Sequence, residues 1–370
     1  MAKGIGRADA ITSLDHRHPR TIRSLPTALT IGTFDGVHLG HQALVRRCRD
    51  LVARPSGACA QSPILPHAPE GRATAVLALA FDPHPMTTLR PERSPARLLT
   101  FDDKRRLLLA AGATDVVRLT PDPQFLAKSA REFVSWLLHE FHPDAIVEGA
   151  DFHFGKGREG TPAMLSALAA ELSARDGLPA CRVETLPPVD VALGDHHVAR
   201  ASSTLVRWLI AHGRMGDACR VLGRPYELVG EVVQGDRKGR TIGVPTCNLA
   251  TECLLPMDAL YAGLAQLPDG REFPAAIAVG ARPTVSGAQR RAEVHVMTHG
   301  VTIPTTGAAW SPLPGLPEYG WPLRVRVLRF LRDEVKFPSF PALVEQMGRD
   351  LSRVPEAVRP ATLAPQATLP

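Results

Sequence analysis

The apolar residues of this chain change their period once, and that change limits the fold more than any other feature. From Ala28 to about Leu186, short β-branched or apolar runs alternate with helical patterns. Ala28 to Ile31, Thr74 to Phe81, Asp115 to Leu119, Ala145 to Glu148 and Arg182 to Leu186 read as strands. The segments between them carry helix signals: Leu44, Val45, Cys48, Leu51 and Val52 share one face, Ser129 with Glu132 forms a capping box, and Pro162 suits a first turn. Such alternation predicts a parallel sheet flanked by helices. After Arg224-Pro225 the helical pattern stops. Tyr226 to Gln234, Tyr261 to Leu267, Ala275 to Val279, Glu293 to Met297 and Pro322 to Leu331 follow one another with turns between, and Leu323, Val325 and Val327 alternate with Arg324 and Arg326. A period of two predicts a small antiparallel barrel or sandwich.

At 370 residues the chain exceeds the size at which one core stops growing, so two domains are expected. Residues 21–222 read as an α/β, Rossmann-like domain and 223–354 as the β domain, with a closing helix over Pro341 to Arg353. The tails 1–20 and 355–370 lack packable periodicity and are expected to be disordered. Residues 55–72 and 298–318, rich in Pro and Gly, read as surface loops. The net charge of +6 is spread without a basic run, which argues against a nucleic-acid partner and suits small anionic ligands. The six cysteines form no C-x-x-C pair, so neither a zinc site nor a disulfide framework is expected. Without an apolar signal segment or a membrane span in the sequence, a cytoplasmic protein with no membrane partner is expected.

The chemistry concentrates in motifs. Directly after the first strand the chain reads Gly32-Thr33-Phe34-Asp35-Gly36-Val37-His38-Leu39-Gly40-His41 and then enters a helix. Glycines permit a tight turn, a helix N-terminus presents unpaired N–H groups, and His38 and His41 stand at its mouth. The arrangement suits adenylyl transfer, in which an acceptor phosphate oxygen attacks the α-phosphorus of ATP. The protein must then align the reactants and stabilise charge on the phosphoryl oxygens. A similar signature marks class I aminoacyl-tRNA synthetases, whose Lys-Met-Ser-Lys-Ser type loop this sequence lacks. Downstream, Arg200-Ala201-Ser202-Ser203-Thr204-Leu205-Val206-Arg207 opens a helix with hydroxyls, N–H groups and a guanidinium, a second cradle for the triphosphate.

The β half opens with Gly235-Asp236-Arg237-Lys238-Gly239-Arg240-Thr241-Ile242-Gly243-Val244-Pro245-Thr246-Cys247-Asn248. This glycine-punctuated basic loop suits nucleotide phosphates, with Thr246 and Asn248 as oxygen donors to a hard cation. Glu293, on a strand whose Val294 and Val296 face the other way, has the chemistry to accept a proton from a substrate hydroxyl.

Taken in order, these motifs resemble the bifunctional bacterial riboflavin kinase/FMN adenylyltransferase family, also called FAD synthetase, over about Ser24 to Arg353. Gly32 to His41, Phe81-Asp82-Pro83-His84-Pro85, Asp151-Phe152-His153-Phe154-Gly155 and Ser202-Ser203-Thr204 with Arg207 match its adenylyltransferase half. Leu222 to Tyr226, Gly239-Arg240 with Gly243 to Asn248, Gly280 with Arg282-Pro283-Thr284, Glu293-Val294-His295 and Leu331 to Glu334 with Lys336-Phe337 match its kinase half. The resemblance implies a nucleotidyltransferase domain followed by a riboflavin-kinase β-barrel. It implies that Glu293 is the kinase base, that Thr246 and Asn248 hold Mg²⁺ and ATP phosphates, and that His38, His41, Asp151, Arg200, Ser203, Thr204 and Arg207 serve FMN adenylylation. Gly32, Phe34, Asp35, Gly36, Gly40, His84, Ser202, Gly239, Arg240, Gly243 and Pro245 complete the expected nucleotide-binding set. The expected ligands are riboflavin, FMN, FAD and ATP with Mg²⁺. The expected state is a monomer or weak homo-oligomer, passing flavin on to apo-flavoproteins.

The chain departs from the family pattern at Thr33, at Ala201 and at Asp258-Ala259-Leu260-Tyr261, where Gly-Val-Tyr is usual. Two other readings stay open at this level. One demotes the β half to a non-catalytic flavin-binding or regulatory module; the other gives the first half a different phosphate-ester acceptor, such as a pantetheine or nicotinate derivative.

Overall fold

The first-half strands are apolar and largely buried, as a parallel sheet covered on both faces requires; Ala28, Leu29 and Leu77 to Ala80 are all buried. The computed structural model describes residues 26–53, 74–235, 243–284, 287–298, 300 and 312–363. Contacts divide the chain into two units, Met1–Pro95 with Phe101–Val189, and Ala96–Thr100 with Asp190–Pro370.

The first unit runs β1 (Thr27–Gly32), α1 (Leu39–Ala53), β2 (Ala75–Phe81), α2 (Met86–Leu89), α3 (Phe101–Ala110), β3 (Asp115–Leu119), α4 (Pro123–Leu126), α5 (Ala130–Phe141), β4 (Ala145–Gly149), α6 (Pro162–Asp176) and β5 (Arg182–Leu186). The five strands pair in parallel in the order β3-β2-β1-β4-β5. Local signals act as read. Ser129 and Glu132 close a reciprocal capping box on α5, and Thr161 caps α6 with Pro162 in its first turn and Gly177 in the left-handed conformation at its end. One core joins Leu29, Ile31, Leu77 and Leu79 of the sheet to Phe133, Val134 and Leu137 of α5 and Leu165 and Leu172 of α6.

The second unit runs β6 (Asp190–Ala192), β7 (Val198–Arg200), α7 (Ser203–Ala211), α8 (Met215–Leu222), β8 (Tyr226–Val233), β9 (Cys247–Ala250), β10 (Ala259–Gln266), β11 (Glu272–Thr284), β12 (Gly287–Val296), β13 (Pro322–Asp333) and α9 (Phe340–Leu363). Six of its strands, β8 to β13, close into a barrel ordered β10-β11-β12-β9-β8-β13, and neighbours run antiparallel. Closure removes the exposed strand edges that an open sheet would leave. The barrel settles the choice between barrel and sandwich.

Two expectations change. Residues 190–222, which the strand-and-helix pattern groups with the sheet, group by contacts with the barrel. The cause is the apolar face of α8: Met215, Ala218, Val221 and Leu222 are buried, and α8 packs on β8 and β13. The tail expected to be disordered from Pro355 is helical as far as Leu363. Leu351, Val354 and Val358 lie at helical spacing and are buried with Val244, Ala262, Leu264 and Ala276, so apolar contact carries α9 past Pro355. The tail expected over 1–20, the loop 55–72 and most of the loop 298–318 lie outside the described residues.

Candidate active sites

In the first unit, three motifs leave the carboxyl ends of three adjacent strands. Gly32 to His41 follows β1, Asp82 to Pro85 follows β2, and Asp151 follows β4. The order β2-β1-β4 therefore sets them side by side at one edge of the sheet. That edge, where the winding direction reverses between β1 and β4, is where open α/β sheets bind ligands.

The β1 loop is strained and held. Phe34 (φ 47°) and Val37 (φ 41°) adopt left-handed backbone that non-glycine residues avoid, and Gly36 (φ 82°) shares the turn. Such positions cost about 1–3 kcal/mol each and persist where packing fixes them; Phe34 and Val37 are both buried. Gln42 donates its backbone N–H to the His38 carbonyl (3.1 Å) and its side-chain amide to the Val37 carbonyl (2.9 Å), tying the turn to the first turn of α1. The rings of His38 and His41 stack at 3.7 Å, and Phe34 meets the His41 ring edge-on at 5.1 Å. Two imidazoles so placed beside a helix N-terminus present hydrogen-bond donors to a phosphate. Behind them, Arg47 of α1 holds Glu184 of β5 at 2.5 Å and 3.0 Å, which locks the helix to the sheet.

At the end of β2, Asp82 is buried with Lys104, 3.6 Å away, and also pairs with Arg118. Lys104 donates to the Phe81 carbonyl at 2.8 Å, so a buried charge pair anchors this loop. Met86 N–H donates to His84 Nδ1 at 3.1 Å. A neutral His84 ring then carries its proton on Nε2.

In the second unit, Asn248 of β9 stands opposite Glu293 of β12 in the antiparallel register, with Cys247 opposite Val294. Val294 and Val296 are buried, which leaves Glu293 on the other face as the alternation requires. A Cβ on Gly235 would stand 1.9 Å from Asn248 Nδ2, so the backbone at 235 packs directly on the Asn248 side chain. His295, on the Glu293 face, is buried and its Nδ1 lies 2.7 Å from the Pro245 carbonyl. A carbonyl only accepts, so Nδ1 carries the proton. Burial pushes the His295 pKa down, which keeps the ring neutral. The Gly243-to-Asn248 segment is thereby bound at Pro245 and at Asn248. Gly239 and Arg240 lie outside the described residues.

Comparison with known proteins matches this architecture. The family described as FAD synthetase matches residues 22–178, and that described as riboflavin kinase matches residues 222–358. The bifunctional riboflavin kinase/FMN adenylyltransferase of Escherichia coli (strain K12) is 31% identical over 330 residues, covering 87% of this chain and 90% of that protein. The chain belongs to the bifunctional riboflavin kinase/FMN adenylyltransferase family. The family member of Haemophilus influenzae is likewise 31% identical over 328 residues, covering 88% and 92% of the two chains. A solved structure described as a macrolide-efflux protein from Streptococcus pneumoniae aligns with TM-score 0.70 at 25% identity over 90% of this chain and 94% of that one. Among the described residues no helix is long and apolar enough to cross a membrane.

Family membership bears out the fold class, a nucleotidyltransferase-like sheet followed by a riboflavin-kinase barrel, and the two-reaction enzyme class. The remaining motif, Arg200 to Arg207, lies in the second unit at the start of α7. Ser202 is the N-cap, its hydroxyl accepting the Leu205 N–H at 3.2 Å, while Ser203 and Thr204 occupy the first turn. Arg207 donates its Nε–H to the Ala96 carbonyl at 2.7 Å. Sequence reasoning missed three residues that the geometry brings forward. Gly235 was read only as part of a phosphate loop, His295 only as part of a motif, and Glu148 only as the end of a strand. Each acts on a partner many residues away, and no local pattern marks such a partner.

Proposed function

We propose that this chain makes FMN from riboflavin and ATP in its barrel unit and FAD from FMN and ATP at the site headed by Gly32 to His41. The observation that carries the reading is the register pair Asn248–Glu293 on adjacent strands, which supports taking Asn248 as an oxygen donor to a nucleotide-bound cation and Glu293 as the carboxylate base.

In the kinase reaction the 5′-hydroxyl of riboflavin attacks the γ-phosphorus of ATP. Glu293 accepts the hydroxyl proton, the new O–P bond forms, the bond to the β-phosphate oxygen breaks, and ADP leaves. Thr246 and Asn248 supply hard oxygen donors, and Gly235 leaves the Asn248 amide room beside the backbone, a donor set that fits Mg²⁺ shared with substrate phosphates. When bound there, the ion neutralises phosphate charge. Pro245, held by His295, keeps the donor segment in place.

In the adenylyl reaction a phosphate oxygen of FMN attacks the α-phosphorus of a second ATP, and pyrophosphate leaves. The protein needs no covalent nucleophile. His38 and His41 donate hydrogen bonds to the phosphoryl oxygens as charge builds, and the amides at the start of α1 add theirs. His84, Asp151, Arg200, Ser203, Thr204 and Arg207 serve the same adenylylation. We assign a monomer or weak homo-oligomer in a cytoplasmic setting, handing its flavin products to apo-flavoproteins. Incubation with riboflavin, ATP and Mg²⁺, followed by chromatography, tests the whole reading: FMN and then FAD are expected, and FMN formation without FAD, or neither, rejects it.

A further inference from the structure

The sheet of the first unit comes apart at a single seam. β1 pairs with β2 through its last residue, Gly32 with Ala80, and β4 pairs with β5 through its last residue, Gly149 with Leu186. Between β1 and β4 the pairing covers only Ala28 with Ala145 and Leu29 with Ile146. Continued in register, the ladder would set Ile31 beside Glu148. Instead the Glu148 side chain enters the seam, and its Oε1 accepts the Ile31 N–H at 2.6 Å. Glu148 is only 1% exposed, so this amide would otherwise be buried without an acceptor. A corresponding bond stands at the other end of the seam, where Asp144 Oδ2 accepts the Thr27 N–H at 2.8 Å.

We propose that Glu148 is a positioning residue for adenylyl transfer: its side chain replaces the missing main-chain partner of Ile31, holds β1 and β4 apart at their carboxyl ends, and so sets the Gly32-to-His41 loop over an open cleft. The inference deepens the adenylyl reading above and rests on it. Closing the ladder would draw β4 against β1 beneath the loop and narrow the place where a nucleotide enters at the switch point. A main-chain ladder bond could satisfy Ile31 equally well; the side chain satisfies it while keeping the strands apart. Burial holds this carboxyl well above the usual carboxylate range, with the Ile31 N–H opposing and Asp151 reinforcing the shift. What the group contributes to the seam is an accepting oxygen of a given reach.

The test uses the full chain with Glu148→Gln, which keeps the oxygen, and Glu148→Met, which keeps the length and removes it. FMN adenylylation is followed as KM for ATP and as kcat, ATP binding by direct titration, and folding of the first unit by thermal unfolding. Glu148→Gln is expected within about twofold of the natural chain, and Glu148→Met is expected to raise KM and the ATP dissociation constant about tenfold, the scale of one buried hydrogen bond. A folded Glu148→Met that binds and turns over ATP normally overturns the proposal. So does a folded Glu148→Gln that loses tenfold, which decides the matter even where Glu148→Met does not fold. A natural chain that binds ATP but makes no FAD would reject the adenylyl reading separately, and the titration would still judge Glu148.

Discussion

His295 Nδ1 and the Pro245 carbonyl lie 2.7 Å apart, joining the strand that carries Glu293 to the segment that carries Thr246 and Asn248. Removing the imidazole leaves a carbonyl without its donor. His295→Ala should therefore raise the kinase KM for Mg-ATP about tenfold, within the 1–3 kcal/mol range for a stranded buried group. His295→Asn places an N–H near the same point and should recover most of the loss, while FAD formation from FMN stays unchanged in both. Equal loss in both variants would show that the ring serves packing rather than the Pro245 bond.

Separation of the two reactions is the sharpest check on the site assignments. His41→Ala should lower FMN adenylylation by about 10²–10³-fold through loss of a charge-stabilising donor, with riboflavin phosphorylation intact. Glu293→Ala should do the reverse, by about 10²–10⁴-fold. Initial rates for each half-reaction decide it, and full kinase activity in Glu293→Ala would remove Glu293 as the base.

Gly235 leaves no room for a side chain, since its Cβ would lie 1.9 Å from Asn248 Nδ2. Gly235→Ala must displace the Asn248 amide, and a misplacement of about 1 Å can cost about 10²-fold in rate. The expected result is a loss of that order in kinase kcat with little change in adenylylation. Phosphorylation at the natural rate would remove Asn248 from the kinase site.

Glu148 also gives stability a pH dependence whose sign is determined. The folded carboxyl titrates well above the ordinary 4.5, so between that value and the folded pKa the native state keeps a proton that the unfolded chain has released. Stability then falls as pH rises through this window, and below it the group has no effect. Glu148→Gln removes the dependence. The melting temperature of the variant, measured relative to the natural chain, should rise steadily with pH above the ordinary carboxylate range, and a pH-independent difference would contradict the assignment.

Ser202 caps α7 through the Leu205 N–H at 3.2 Å, so Ser202→Ala should destabilise the chain by about 1 kcal/mol in a denaturant titration. If its hydroxyl serves the helix alone, adenylylation per folded molecule stays constant in that variant. A rate loss beyond the stability loss would make Ser202 a nucleotide contact as well.

The sequence by itself determined the two architectures, the capping of α5 and α6, and the motifs on which the proposed sites rest. These depend on apolar period, caps and turn residues, which act over a few positions and are written along the chain. Only the tertiary structure decided which elements pack together and which residues support the motifs. The apolar face of α8 draws 190–222 onto the barrel strands, and Leu351, Val354 and Val358 carry α9 beyond a proline that local pattern reads as an end. Likewise the partners Asn248 and Glu293, His295 and Pro245, and Glu148 and Ile31 are set by strand register and by the seam between β1 and β4. Register is a property of two strands together: each backbone group must find a partner across a distance the sequence does not encode locally, so the candidate motifs were legible and their support was not.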